Sequence, residues 1–134
     1  MGPESIQNYA GDISTYPARL VVHTIQAVFP NCRMFRELPD EGSNFTNMVV
    51  FCKISTVPLR FRAPVPEDYL RSKAREMYLL PKHEVDPAVF EAGDDRVVLR
   101  ANETGLLKKF QDQSAIAHWH IMRQVLPAVV WESW

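Results

Sequence analysis

Asn47-Met48-Val49-Val50-Phe51-Cys52 is the stretch on which the fold depends. It is a short, continuous apolar run that is rich in β-branched and aromatic residues. Such a run is typical of a strand buried on both faces at the centre of an α/β sheet, because a helix needs a longer segment. Gly42-Ser43-Asn44 lies just upstream and has the composition of a loop. We therefore predict a central strand that runs from Asn47 to about Ile54.

Length and charge restrict the class of protein and its partners. The 134 residues suit one compact domain, and a hydrophobic content of 46% is enough for a core. The 15 basic and 16 acidic residues nearly cancel, which gives no electrostatic reason to expect nucleic acid or a membrane surface as a partner. No apolar run approaches the length of a membrane span, and the first residues lack the pattern of a signal peptide. We expect a cytoplasmic protein.

The chain has two cysteines, Cys32 and Cys52. Both lie in apolar, strand-like segments, which predicts buried free thiols in a reducing compartment. A disulfide is the alternative if the two strands are neighbours in the sheet.

The elements around the central strand predict the topology. Ser5 to Tyr9 forms a strand, and a helix follows from Thr15 to Phe29, with Pro17 in its first turn and Ser14 or Thr15 as its cap. Cys32 to Arg36 alternates apolar and basic residues and forms the next strand. The loop to the central strand is too short for a crossover helix, so these last two strands are antiparallel. This order is the closing strand–helix–strand–strand portion of a Rossmann-like sheet, and a complete doubly wound domain needs more strands.

The second part of the chain is predicted to be a helical extension. Thr56 to Pro66 is proline-rich and forms an extended linker along the sheet edge. Glu67 to Tyr78 forms a short helix, Arg96 to Leu99 a short strand, and Leu107 to Val125 the longest helix. Residues 102–106 form a turn. The apolar residues expected to face inward are Tyr69, Leu70, Ala74 and Met77 on the first helix, and Phe110, Ala115, Ile116, Trp119, Met122, Val125 and Leu126 on the second.

Two regions follow from this division. Residues 1–55 form part of the Rossmann-like sheet, and residues 56–134 form the linker and the helical C-terminal extension. The apolar tail, residues 129–134, should dock on the body of the protein or on another subunit. A sheet with so few strands leaves an open edge, which predicts self-association or a protein partner.

Motifs that suggest chemistry are weak in this sequence. His118 and His120 lie two apart on a helix and point about 200° apart, so they cannot easily share one ion, and we expect no metal site. The paired acids Asp40-Glu41 and Asp94-Asp95 could do acid–base work, but each pair sits near glycine in a loop, which favours solvated turn residues. We expect no catalytic residue.

Gln7, Asn8 and Tyr9 are the candidates for substrate binding. We expect them at the carboxyl end of a strand, where open α/β sheets bind their ligands. The alternative is that they cap the strand and fix the following turn.

Three segments together resemble the spermidine/spermine synthase family, the polyamine aminopropyltransferases and their methyltransferase-like relatives. They are residues 5–30, residues 47–52, and residues 68–81, which end in Tyr78-Leu79-Leu80-Pro81. The resemblance implies a class I S-adenosylmethionine methyltransferase-like fold, in which the glutamine at the end of the fifth strand falls at Gln7 or Asn8.

The resemblance also implies what this chain lacks. Full-length relatives bind decarboxylated S-adenosylmethionine or S-adenosylmethionine through a glycine-rich turn and an acidic residue, which are absent here. Their catalytic aspartate precedes the matching segment, residues 40–43 stand where a polyamine-contacting tyrosine is expected, and Ala74 replaces a helix histidine. We therefore expect no cofactor for the isolated chain.

Two functions follow as expectations. The first is the C-terminal portion of a spermidine-synthase-like transferase, for polyamine biosynthesis or S-adenosylmethionine-dependent methyl transfer, that is inactive as the isolated chain. The second is a non-catalytic interaction subunit that pairs with a full-length relative or with a second copy of itself.

Overall fold

A computed structural model describes residues 4–91 and 98–132. The chain forms two compact units, Met1–Val98 and Leu99–Trp134, and each is described by itself. The boundary predicted at residue 55 lies inside the first of these units.

The first unit is an α/β structure built on a four-stranded sheet. Its strands are β1 (Glu4–Asp12), β2 (Asn31–Arg36), β3 (Phe45–Lys53) and β4 (His83–Glu84), in the order β1-β3-β2-β4. The predicted central position of β3 is confirmed, and so is its antiparallel pairing with β2. Because β1 and β2 are both antiparallel to β3, these two strands run in the same direction. All neighbouring pairs are antiparallel, so the sheet lacks the parallel pairing of a Rossmann-like sheet.

Helix α1 (Tyr16–Val28) connects β1 to β2 and covers one face of the sheet. Pro17 occupies its first turn, where the missing N–H costs nothing. Thr15 precedes the helix, but its hydroxyl donates to the Asp12 carbonyl oxygen at 2.7 Å and makes no side-chain cap. The core lies between α1 and the sheet and includes Ile13, Ala18, Val22, Met34, Met48, Val50, Cys52, Val85 and Phe90.

Burial along β3 alternates, so the prediction of burial on both faces was wrong. Thr46, Met48, Val50 and Cys52 are buried, whereas Val49 and Phe51 are only half-buried. The reason is that α1 covers the face of Met48 and Val50, and an irregular segment crosses the other face. There Phe61 packs edge-to-face against Phe35 and Phe51, with centroid distances of 5.6 and 5.0 Å. The proline-rich linker therefore lies over the sheet and not along its edge.

Cys32 and Cys52 form a disulfide, so the prediction of free thiols was wrong. The two residues stand directly opposite each other in the β2–β3 pairing, with their Cα atoms 4.1 Å apart. That spacing belongs to the closely spaced pairs of an antiparallel ladder, in which facing side chains can touch. The structure therefore agrees with the alternative interpretation, a disulfide between two neighbouring strands.

The helix predicted from Glu67 to Tyr78 is broken in two. A 3₁₀ helix spans Pro66–Tyr69 and α2 spans Lys73–Tyr78. Leu70 and Arg71 between them adopt left-handed backbone angles, with φ of 49° and 58°, which turn the chain out of the first helix. Of the residues expected to face inward, Tyr69 is half-buried, and the others are exposed. The exposed residues are Leu70, Ala74 and Met77.

The second unit contains a 3₁₀ helix (Ala101–Glu103), α3 (Gly105–Val125) and α4 (Ala128–Glu132). The long helix is confirmed, but the turn predicted over residues 102–106 is instead a 3₁₀ helix and the start of α3. No residue of the stripe predicted to face inward is buried, and of its members Phe110, Met122 and Leu126, which follows α3, are half-buried.

Two further predictions concern residues near the unit boundary and the C-terminus. Arg96 and Val97 lie outside the described residues, and Val98 and Leu99 form no strand. Val129 and Val130 in the tail are 69% and 38% exposed, and the docking of the tail on the body or on another subunit stays a prediction. Across residues 4–91 and 98–132, no helix has the length and apolar character needed to cross a membrane.

Candidate functional site

A cavity of about 730 Å³ opens in the first unit on the sheet face that α1 does not cover, which we call the outer face. Val49 and Phe51 of β3 lie on this face and line the cavity. The sheet pairing places Asn8, Phe35 and Val49 in one row across this face. Asn8 is the middle residue of β1, and Phe35 lies near the carboxyl end of β2, which runs in the same direction as β1. We call this space the sheet cavity, and its size lies in the range of small-ligand sites.

The sheet cavity has three walls. The sheet forms the first wall, which we call the floor. Residues 37–39 after β2 form the second wall, and residues 77–83, which run from the end of α2 into β4, form the third. The short pairing of β4 with β2 holds this last segment beside the sheet, because Arg36 pairs with His83 and Phe35 with Glu84.

The floor contains two phenylalanine rings, and an arginine side chain packs against one of them. Phe35 and Phe51 meet edge-to-face with centroids 6.0 Å apart, a favoured geometry for aromatic pairs. The Arg33 guanidinium lies 5.0 Å from the Phe35 ring centroid and 5.3 Å from that of Phe61. Glu84 holds this guanidinium with bonds of 2.8 and 2.7 Å. This cluster fixes the rings before any ligand arrives.

Glu37 supplies the acidic group of the sheet cavity. Its carboxylate oxygen Oε2 accepts a hydrogen bond from Asn47 Nδ2 at 2.6 Å, and its backbone N–H donates to the Asn47 carbonyl oxygen at 2.9 Å. Two bonds between the same pair of residues fix the position of this carboxylate. Asn8 adds a second amide to the same face, and the opposite wall contributes Tyr78, Lys82 and His83.

Arg36 stabilises the loop beside the sheet cavity. Its side chain is 7% exposed, it donates to the Ser43 carbonyl oxygen, and it lies 3.4 Å from a carboxylate oxygen of Asp40. The same Asp40 oxygen accepts from the Gly42 N–H at 3.1 Å. Asp40 thus acts as the turn residue that the sequence favoured, since it organises the loop.

The structure brings only part of the predicted site residues to the cavity. Asn8 and Tyr9 line it, whereas Gln7 does not, and the Gln7 amide instead donates to Ser5 Oγ at 3.0 Å. The prediction that they end a strand was wrong, because β1 continues to Asp12. Pleating separates them as well, since Asn8 is in register with Val49 on the outer face and its two neighbours lie on the opposite face. Their role in substrate binding stays a prediction.

Tyr9 is suited to packing and not to proton transfer. It is half-buried against the core, and its hydroxyl donates to the Asp12 carbonyl oxygen at 3.4 Å. Burial raises the pKa of the phenol, the hydrogen bond with Thr15 opposes the rise, and the charge of Asp12 adds to it. A neutral phenol is therefore expected at physiological pH, where it is not a base.

The turn between β1 and α1 does not fit S-adenosylmethionine, the cofactor that the resemblance implies. Gly11, the residue before the last of β1, has φ +145°, but a Cβ atom added there would meet the Tyr9 hydroxyl at 3.3 Å, so the ring already fills the space. The Asp12 carboxylate also occupies the approach to α1, where it accepts from the Ser14 N–H and hydroxyl at 2.9 and 2.6 Å. The described residues thus offer no open glycine cradle at this turn.

Sequence reasoning missed the wall formed by residues 77–83. The apolar run Tyr78-Leu79-Leu80-Pro81 was interpreted only as the end of a helix, although three large apolar residues before a proline also suit a segment that lies on a sheet. The β4 pairing is just two residues long, which is too short to give a strand pattern. His118 and His120 lie on α3, and the described residues contain no group of three or more His, Cys, Asp or Glu that could hold a metal ion. Asp94 and Asp95 lie outside the described residues.

Comparison with known proteins gives one informative relative. No protein-family model matches the chain, and no solved structure matches it. The chain is similar to an N-terminal histidine N-methyltransferase of Emericella nidulans, with 53% identity over 138 residues, covering 95% of this chain and 25% of that protein. The chain therefore spans about a quarter of the length of the curated relative that it matches.

This relative supports one half of the family resemblance. It is a methyltransferase, and the α/β architecture with its antiparallel four-stranded sheet is compatible with a partial methyltransferase-like fold. Nothing in the comparison supports a spermidine synthase or a role in polyamine biosynthesis.

Proposed function

We propose that this chain is a portion of an S-adenosylmethionine-dependent methyltransferase that modifies the N-terminal histidine of a polypeptide. The observation that carries the proposal is the 53% identity across 95% of the chain to a protein of that name. Because the match covers a quarter of the relative, we assign the activity to a longer protein and not to these residues alone.

The sheet cavity supports a role on the acceptor side of the reaction. It opens on the outer face of the sheet, and its volume of about 730 Å³ lies in the range of small-ligand sites. The turn at Gly11 does not fit the methyl donor, whereas the cavity combines aromatic walls with an acid and amides. We infer that the donor is bound elsewhere in the longer protein.

Exchange of the matched segment tests the proposal directly. The matching segment of the Emericella protein is replaced by this chain, and the chimera is incubated with S-adenosylmethionine and a peptide that begins with histidine. We expect methylated peptide at a rate within tenfold of that of the unmodified relative. A chimera that is folded but has no activity would contradict the proposal.

The outer edge of β1 favours a second candidate function, an interaction subunit. Within residues 4–91 and 98–132, β1 pairs only with β3, and its other edge has no strand partner. The strand is nine residues long, contains neither lysine nor proline, and exposes 64% of Ile6. Such unprotected edges recruit another strand.

Complex formation separates the two functions. If the separate chain binds the intact relative in solution and the chimera is inactive, the interaction subunit is favoured. If the chimera is active and the separate chain does not bind the intact relative, the methyltransferase portion is favoured.

A further inference from the structure

We propose that the sheet cavity binds the first residue of an acceptor polypeptide, with the imidazole ring against Phe35 and Phe51 and the α-ammonium at Glu37. This inference rests on the proposed function and deepens it, because it assigns the acceptor to a particular site. This binding does not require the methyl donor to be present.

The aromatic floor suits a small, flat ring. Phe35 is only 4% exposed and Phe51 is half-buried, so both rings are held by the packing around them. Val49 lies opposite Phe35 and two residues before Phe51 in β3, and it extends the apolar surface. An imidazole ring has apolar faces and a polar edge, so it can lie on such a surface and keep its nitrogens directed at solvent or at polar side chains.

Charge complementarity selects the terminal ammonium. Among the described residues that line the sheet cavity, Glu37 is the only acid. Asn47 uses Glu37 Oε2, and this bond leaves Oε1 available to a further donor. A carboxylate makes charge-assisted hydrogen bonds to an ammonium group, which are stronger than bonds between neutral groups.

The cations near the sheet cavity are compatible with this assignment. Arg36 lies 3.4 Å from a carboxylate oxygen of Asp40 and donates to the Ser43 carbonyl oxygen, so Asp40 offsets part of its charge. Lys82 and His83 line the opposite wall, and Lys82 is exposed, so solvent screens its charge. Asp40 and solvent therefore reduce the repulsion between these cations and an ammonium group at Glu37.

The amides of Asn8 and Asn47 add a place for the peptide bond. Both line the outer face, and an amide can donate to a carbonyl oxygen and accept from an N–H. A histidine inside a polypeptide has no α-ammonium and could not use Glu37 in this way. The arrangement thus gives a physical reason for recognising a terminal histidine.

Binding to the chain itself tests the inference without any methyl donor. The 134-residue chain is titrated with histidyl-glycine amide, and the backbone amide resonances of Val49 and Phe51 are followed by NMR. We expect saturable shifts at these positions. Acetyl-histidyl-glycine amide, which lacks the ammonium, and alanyl-glycine amide, which lacks the ring, should each bind at least about tenfold more weakly.

A pair of matched variants tests whether Glu37 is the acid that binds the ammonium group. Glu37→Gln keeps the bond to Asn47 and removes the charge, and it should weaken histidyl-glycine amide about tenfold. Glu41→Gln removes an exposed acid of the same loop that does not line the cavity, and it should leave binding unchanged. Far-UV circular dichroism of both variants must match that of the parent chain.

Three results would overturn the inference: no saturable binding, equal binding of the acetylated peptide, or unchanged binding in Glu37→Gln. Because the measurement needs no activity, its failure is distinct from an inactive chimera, which would contradict the proposed function instead.

Discussion

Reduction of the Cys32–Cys52 disulfide should lower the free energy of unfolding by an amount set by the loop that it closes. The two residues are 20 positions apart in the sequence. In the chain-entropy treatment, a cross-link that closes a loop of this length stabilises the folded state by about 3 kcal/mol, because it removes conformations from the unfolded chain. With a urea m-value of about 1–3 kcal/mol/M, the unfolding midpoint should fall by about 1–3 M on reduction.

Urea unfolding followed through the backbone amide NMR signals of β2 and β3, with and without dithiothreitol, measures this effect, because the disulfide joins these two strands. The double variant Cys32→Ala with Cys52→Ala is the control, since its midpoint should not respond to the reductant. The reasoning would be refuted if the parent chain unfolded at the same urea concentration in both conditions, or if thiol titration of the native, non-reduced protein found free cysteines.

Other predictions follow from packing, charge and the open edge. Leu20→Ala, at a side chain that is 1% exposed, should cost about 2–5 kcal/mol in urea unfolding, whereas Val28→Ala on the same helix, 59% exposed, should change stability by less than about 0.5 kcal/mol. Arg33 lowers the pKa of Glu84 through their hydrogen bonds, so this pair stabilises the fold above the ordinary pKa of a glutamate, and the contribution is lost as the pH falls through the lowered value. Arg33→Met should therefore reduce the loss of stability between pH 7 and pH 3, and an unchanged loss would contradict this. The purified chain alone, given labelled S-adenosylmethionine or decarboxylated S-adenosylmethionine with an acceptor, should transfer no group above a heat-killed control. Sedimentation should show concentration-dependent self-association, and a monodisperse monomer that is unaffected by deletion of residues 128–134 would argue against it.

The fold of the first 55 residues could be predicted because each element has a local signature. The apolar run in β3, the helical spacing after Pro17 and the short loop before β3 all depend on neighbours in the sequence, and the structure confirms the resulting strands and helix. The disulfide could not be decided, since it depends on the register that places Cys32 opposite Cys52. Register comes from pairing between distant segments and is not visible in the spacing of residues.

The candidate site was predictable only in part, for the same reason. Asn8 and Tyr9 were singled out from their place on a strand, and both line the sheet cavity. Gln7 does not line it, although Tyr9 on the same face of β1 does, so the alternation of side chains along a strand does not by itself decide which residues line the cavity. Glu37 and the wall of residues 77–83 were missed, since Glu37 joins the site through its bonds to Asn47 and the wall through the pairing of β4 with β2, and neither contact is visible in the local sequence.

Methyl transfer by the chimera, measured with the sheet cavity filled, tests the central claim most directly. Val49→Trp places a large ring in the cavity, and Val57→Trp makes the same substitution at a position that is 63% exposed and does not line it. The product is the methylated N-terminal histidine peptide, quantified by mass spectrometry with S-adenosylmethionine in excess. We predict that Val57→Trp keeps the activity of the parent chimera and that Val49→Trp loses at least about tenfold, which is the rate effect of 1.4 kcal/mol. Equal activity in two folded variants would contradict the claim that this cavity takes part in methyl transfer.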